Sequence, residues 1–142
     1  MAMIQIYYNQ FVSQMGRLSG LWLLATRLWM ARVFWQSGMV KLDDWESALL
    51  LFRDEYQVPI LPYELAAYSA TAFELICPIL LAIGFLTRLA AFPLVVMTLV
   101  IQFTYLQHDQ HYYWLFLLSA LVCFGAGKFS LDHWMDRKKH EE

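Results

Sequence analysis

The sequence predicts an all-α integral membrane protein: a four-helix bundle crossing the bilayer, with an amphipathic surface helix in its first outer loop. Three observations carry that prediction. Of the 142 residues, 60% are apolar and only 15% charged, against about 45–50% and about 25% in soluble domains. A soluble chain of this length leaves about 30% of its surface in water, and these side chains are too apolar to cover it. Residues 18–42, 64–84, 88–107 and 112–131 each approach the about 20 apolar residues that a spanning helix needs, and most charges gather between or beyond them. A net charge of −2 argues against nucleic-acid binding, which wants a basic face. Cys77 and Cys123 are too few for a disulfide scaffold and form no C-x-x-C pair.

Residues 1–14 contain no apolar run behind a basic flank, and the first long stretch holds Arg27 and Arg32, which argues against a signal peptide. Ile4, Tyr7, Phe11 and Leu18 fall at helical intervals and predict a short amphipathic helix at the interface. After the first span, the segment from Trp45 to Tyr56 is a helix former with Asp44 as its natural N-cap. Its apolar residues suit a helix lying on the outer surface. Pro59 and Pro62 end it and lead into the second span. Residues 1–131 thus form one domain, and residues 132–142 a polar, frayed tail.

Topology follows from the basic residues. Arg17, Arg88, Lys128, Arg137, Lys138 and Lys139 fall on one side of four spans, and only Lys41 and Arg53 on the other. The positive-inside rule puts both termini of this multi-pass chain in the cytoplasm. The acidic first loop and the turn from Gln107 to His111 then face outward, which in a bacterium is the periplasm.

Chemistry is expected where the membrane makes polar groups expensive, because an intramembrane charge is paired or lines a cavity. Arg32 lies roughly 18 Å in from Gly20, and Glu74 roughly 15 Å in from Glu64, at 1.5 Å per residue. In a hydrocarbon core about 30 Å thick both reach the middle, so an Arg32–Glu74 ion pair is expected, with Gln36 one turn away. Pro78 removes the hydrogen bond to the Glu74 carbonyl and should kink the second span there.

These residues resemble a known family. The run from Arg32 through Phe34, Gly38 and Lys41 to Leu42 is similar to the first-helix signature R-x-F-x-x-x-G-x-x-K-L of the DoxX family. Glu74 and Pro78, followed by Gly84, Thr87, Arg88, Ala90 and Ala91, resemble that family's second-helix glutamate and G-x-x-T-R-x-A-A turn. Residues 51–56 before Val58-Pro59, and the closing Ser130-Leu131-Asp132, resemble one bacterial branch. The likeness runs from about residue 24 to 131 and implies a four-helix inner-membrane protein. It implies no single activity, since relatives include subunits linked to thiosulfate:quinone oxidoreduction, companions of thiol-redox and superoxide defence, and neighbours of metal-stress operons. No catalytic residue carries over.

Other polar or soft side chains have plainer readings. Cys77 and Cys123 lie at equal predicted depth, which permits a redox pair, although buried cysteine usually just packs. His108 and His111 are weak metal candidates without a third ligand, so their turn reads as a solvated interfacial loop. Met30, Met39 and Met97 read as core filler rather than soft copper ligands. Trp22, Trp45, Tyr63, Tyr105, Tyr112, Tyr113, Trp114 and Trp134 fall near span ends, where amphipathic rings prefer the headgroup layer. Trp29, Phe34 and Trp35 flank Arg32 at mid-depth, and such an aromatic wall suits a flat quinone headgroup.

The expected site is therefore Arg32, Gln36, Glu74, Trp29, Trp35 and Lys41, holding a quinone-like or other small hydrophobic ligand. The expected role is the membrane component of a redox-linked system, an oxidoreductase subunit if it is catalytic at all. Its partners would be the bilayer and redox proteins encoded nearby, with a homo-oligomer compatible. A small-molecule or metal transport subunit and a non-catalytic anchor for a partner enzyme are the alternatives.

Overall fold

The computed structural model describes residues 2–56, 58, 60–104 and 108–139, and among these the chain is helical with no strand. The first helix, α1 (Ala2–Asp43), is a single 42-residue rod, roughly 63 Å long and about twice the hydrocarbon thickness. The separate interfacial helix and first span expected from the sequence are thus one element. No proline occurs before Pro59, so nothing interrupts the backbone ladder. From Met3 to Met15 every side chain is exposed, and the bundle makes no use of that amphipathic spacing.

Asp44 caps α2 (Trp45–Leu50) as its side chain predicts, its carboxylate accepting the Ser47 N–H at 3.1 Å. The helix then loosens into a π-helical segment, Leu51–Tyr56. This region does more than lie on a surface. Ala48 is buried and Phe52 only 5% exposed, with Phe52 packed against Ala66, Ala67 and Ala70. Pro62 precedes α3 (Tyr63–Ile83), which continues through Pro78 and ends at Gly84, where φ is +70°. The Gly84 and Phe85 N–H groups there turn back to the Leu81 and Leu80 carbonyls. Pro59 lies outside the described residues.

The chain returns as α4 (Thr87–Thr104) and α5 (Asp109–Phe124). The final part of the third expected span, with Tyr105, lies outside the described residues. The fourth span stops seven residues short of its expected end, because Gly125 and Gly127 both take φ +75° and break the helix. The tail is not frayed over its described part. Residues Leu131–Lys139 form α6, and the Asp132 carboxylate accepts the Leu86 and Thr87 N–H groups at 2.8 and 3.0 Å, capping α4.

The core joins Met30 and Phe34 of α1 to Leu81, Leu94, Leu118 and Leu121 of α3, α4 and α5, with Ala90 and Ala91 allowing close approach. Both α3 and α4 are long and apolar enough to cross a membrane, and their outward residues include Phe73, Ile76, Leu89 and Phe92. The longer α1 carries Arg17, Arg27, Arg32 and Lys41, while α5 has 16 residues, roughly 24 Å.

Candidate functional site

Gly38 brings α1 and α3 together: a Cβ there would meet Leu75 Cδ2 at 2.9 Å and Glu74 Cβ at 3.2 Å. That closeness seats Glu74 against the turn that bears Ser37 and Lys41. The Lys41 ammonium donates to Glu74 Oε2 at 2.8 Å, to Oε1 at 3.0 Å and to Ser37 Oγ at 3.0 Å, while the Ser37 hydroxyl donates to Oε1 at 3.2 Å. All three ammonium protons are thereby matched. The Glu74 side chain is 3% exposed and that of Lys41 14%. In such a low-dielectric setting the pair is strongly coupled, and removing either member strands the other.

The expected Arg32–Glu74 pair is therefore replaced by Lys41–Glu74. Depth alone misleads here, because nine residues at 100° each put Arg32 and Lys41 on opposite faces of α1. Lysine also reaches inward, since helical side chains lean toward the N-terminus of their helix. Arg32 and Gln36 face outward, as do Trp29 at 56% and Trp35 at 41% exposure. The expected aromatic wall is not formed. Phe34 alone of those rings turns inward, its ring centroid 5.9 Å from that of Trp114.

A cavity of about 460 Å³ opens beside the pair, between α3, α4 and the π-helical segment. Its walls are Phe52, Tyr56, Ala66, Ala70, Met97 and Val100, and its charged lining residues are Lys41 and Glu74. Ser69 and Thr104 also line it, but their hydroxyls donate to the Ala66 and Val100 carbonyls of their own helices. Exposed Phe73, Phe92 and Val96 fringe the space on its outward side. Gln36 lines a separate cleft between α1 and α2, where it meets Ser37 and Lys41 from the other side.

Sequence reasoning passed over Arg27. It is fully buried, and its guanidinium donates to the Leu81 carbonyl at 3.4 Å and the Phe129 carbonyl at 2.5 Å. It thus ties α1 to the C-terminal turn of α3, where a helix dipole favours a cation, and to the loop before α6. The signal was present as a stripe: Arg27, Met30, Phe34, Gly38 and Lys41 recur every three or four residues and mark the inward face.

Cys77 is buried and Cys123 exposed, both as free thiols, so they do not form the pair that equal depth allowed. The His108–His111 turn is not simply solvated. His111 is buried, with Nδ1 2.8 Å from Gln102 Oε1 and its ring against Trp114. Among the described residues no three His, Cys, Asp or Glu side chains stand together as a metal set. Met30 belongs to the core, Met97 packs against it, and Met39 is exposed.

The residues of the family-like motifs thus have physical tasks in this fold. Gly38 sets helix spacing, Lys41 and Glu74 form the buried pair, Gly84 ends α3 beneath Arg27, and Ala90 and Ala91 admit close neighbours. The DoxX family model matches residues 22–107, which contain all of them. The chain is also 31% identical over 128 residues to an uncharacterized protein of Haemophilus influenzae, covering 80% of this chain and 83% of that one. No solved structure matches. With the match spanning more than half the chain and including both halves of the buried pair, the protein belongs to the DoxX family.

Proposed function

We propose that this chain is a multi-pass inner-membrane component of a redox-linked system, and that its cavity takes a quinone-like or other small hydrophobic ligand. The observation that carries this reading is the cavity beside the Lys41–Glu74 pair, about 460 Å³ with apolar walls and one charged cluster. Ligand pockets commonly measure about 300–1,000 Å³ and combine apolar walls with a few polar groups in this way. In this reading α1, α3, α4 and α5 span the bilayer, residues 1–131 act as one domain, and both termini are cytoplasmic. The end bearing Arg88, Lys128, Arg137 and Lys138 faces inward, in keeping with the positive-inside rule. Arg32, Trp29 and Trp35 leave the site, whereas Lys41 and Glu74 remain in it.

The test is extraction in mild detergent followed by mass spectrometry of bound organic molecules. Wild-type protein should carry a quinone or comparable lipid that raises its melting temperature, because a ligand of the folded state stabilises it by mass action. Val96→Trp, which fills the outward side of the cavity without touching the ion pair, should lose that molecule and its thermal shift. Retention of both by Val96→Trp and by Glu74→Gln would place the ligand elsewhere and favour the anchor reading. Labelling of Gln110→Cys from outside intact spheroplasts checks the topology, and labelling only after lysis would reverse it.

A further inference from the structure

Donors and acceptors are unevenly matched in the polar cluster beside the cavity. The Lys41 ammonium carries three protons, and they go to Glu74 Oε1, Glu74 Oε2 and Ser37 Oγ. The Ser37 hydroxyl proton goes to Glu74 Oε1. A carboxylate has about four lone-pair positions, and these contacts fill two on Oε1 and one on Oε2. The cluster has thus spent every side-chain N–H and O–H, while Oε2 can still accept.

The remaining capacity lies toward the cavity. Ser37 borders the cleft between α1 and α2, Glu74 borders the cavity, and Lys41 stands between and borders both. Ser69 and Thr104 repeat the imbalance on the cavity walls, since their hydroxyl protons go to the Ala66 and Val100 carbonyls and leave oxygens that can only accept. Pro93, which also lines the space, has no N–H. Tyr56 is the lining residue whose hydroxyl can act in either sense.

We propose that the cavity selects a neutral apolar molecule bearing a hydroxyl donor, a phenol or the reduced, dihydroxy form of a quinone, through a hydrogen bond to Glu74 Oε2. The inference rests on the cavity reading given above and adds to it the donor class of the ligand. A dione, an ether or an ester can only accept, and Lys41, Ser69, Glu74 and Thr104 have no proton left to offer it. A ligand anion would meet a carboxylate whose ammonium partner is fully engaged. A ligand cation would add an unpaired charge beside two that already balance. A neutral hydroxyl avoids both costs, and its bond to an ionised acceptor in a low dielectric is of the strong, charge-assisted kind.

The experiment measures thermal shifts of the full chain in mild detergent at neutral pH with 4-pentylphenol and with its methyl ether, 4-pentylanisole, which keeps the apolar body and lacks the donor. Binding is counted as the part of each shift that Val96→Trp removes, since that substitution fills the cavity without touching the ion pair. Wild type should half-saturate with the phenol at an about tenfold lower concentration than with the ether, as expected for a hydrogen bond to a charged group. Lys41→Met with Glu74→Met removes the acceptor without stranding a charge, and should bind both probes alike. Tyr56→Phe should keep the wild-type preference. Equal binding of phenol and ether by wild type, each lost in Val96→Trp, would overturn the donor selection and leave the cavity reading standing. A preference that survives the double substitution, or one that Tyr56→Phe abolishes, would also overturn it, because the partner would then not be Glu74. Shifts that Val96→Trp leaves unchanged for both probes would overturn the cavity reading itself, and the inference with it.

Discussion

Arg27 and Lys41 are both turned inward from α1, fourteen residues apart, and the bundle neutralises them by different means. Arg27 meets backbone carbonyls at one end, where Gly84 turns and Asp132 caps α4. Lys41 meets a carboxylate at the other end, where the pair borders a cavity. Carbonyls at a helix terminus need a donor in any case, so Arg27 resolves a structural debt of α3 and of the loop before α6. No backbone group requires Glu74 and Lys41 to be ionisable. Two inward-turned cations thus separate into a staple and a candidate site by what answers them.

The largest expected effect tests the second kind. Lys41→Met strands a carboxylate that is only 3% exposed, and should destabilise the detergent-solubilised protein by about 3–5 kcal/mol. Lys41→Met with Glu74→Met together should be nearly neutral, and additive losses in a double-mutant cycle would show that the coupling is weak. At the Arg27 end, Gly84→Ala forces an L-residue to φ +70° and drives a Cβ into the Arg27 guanidinium. About 1–2 kcal/mol for the backbone and about 1–3 for a displaced buried hydrogen bond give an expected loss of about 2–5 kcal/mol by thermal denaturation. This variant should leave the ligand's thermal shift intact, which sharpens the contrast between the two ends. Asp132→Ala removes a helix cap and should cost about 0.5–2 kcal/mol, with amide exchange accelerated at Leu86 and Thr87.

The smallest effect concerns pH. The Ser47 hydrogen bonds hold the Asp44 carboxyl below the usual carboxylate range. Its capping contribution is therefore complete above the ordinary carboxylate value of about 3.9 and is lost as pH falls through the depressed one. Acid titration followed by Trp45 fluorescence should show this step in wild type. Asp44→Asn, which keeps an oxygen acceptor but cannot titrate there, should remove it.

Much of this was legible in the chain because local rules decide it. Asp44 had to cap the helix beginning at Trp45, since its side chain reaches the Ser47 N–H whatever the tertiary setting. Gly84 marked the end of α3 because few other residues accept φ +70°. The end of α5 was misjudged because apolarity continues past Phe124 through Ala126 and Phe129, while the glycines between them break the backbone. The tail looked frayed because its order comes from Asp132 reaching residues 45 and 46 positions away, a distance no composition window sees.

The sequence by itself determined an all-helical, strongly apolar chain of the DoxX family, because composition, hydrophobic periodicity and short motifs act over one or two turns. Only the tertiary structure decided which charges meet. Counting inward from Gly20 put Arg32 level with Glu74 and left Lys41 toward the outer side, and correcting that required the axial register and rotational phase of α1 against α3. That phase is fixed where Gly38 admits Leu75, a contact between residues 37 positions apart. It turns Lys41 toward the cavity and leaves Arg32 facing out.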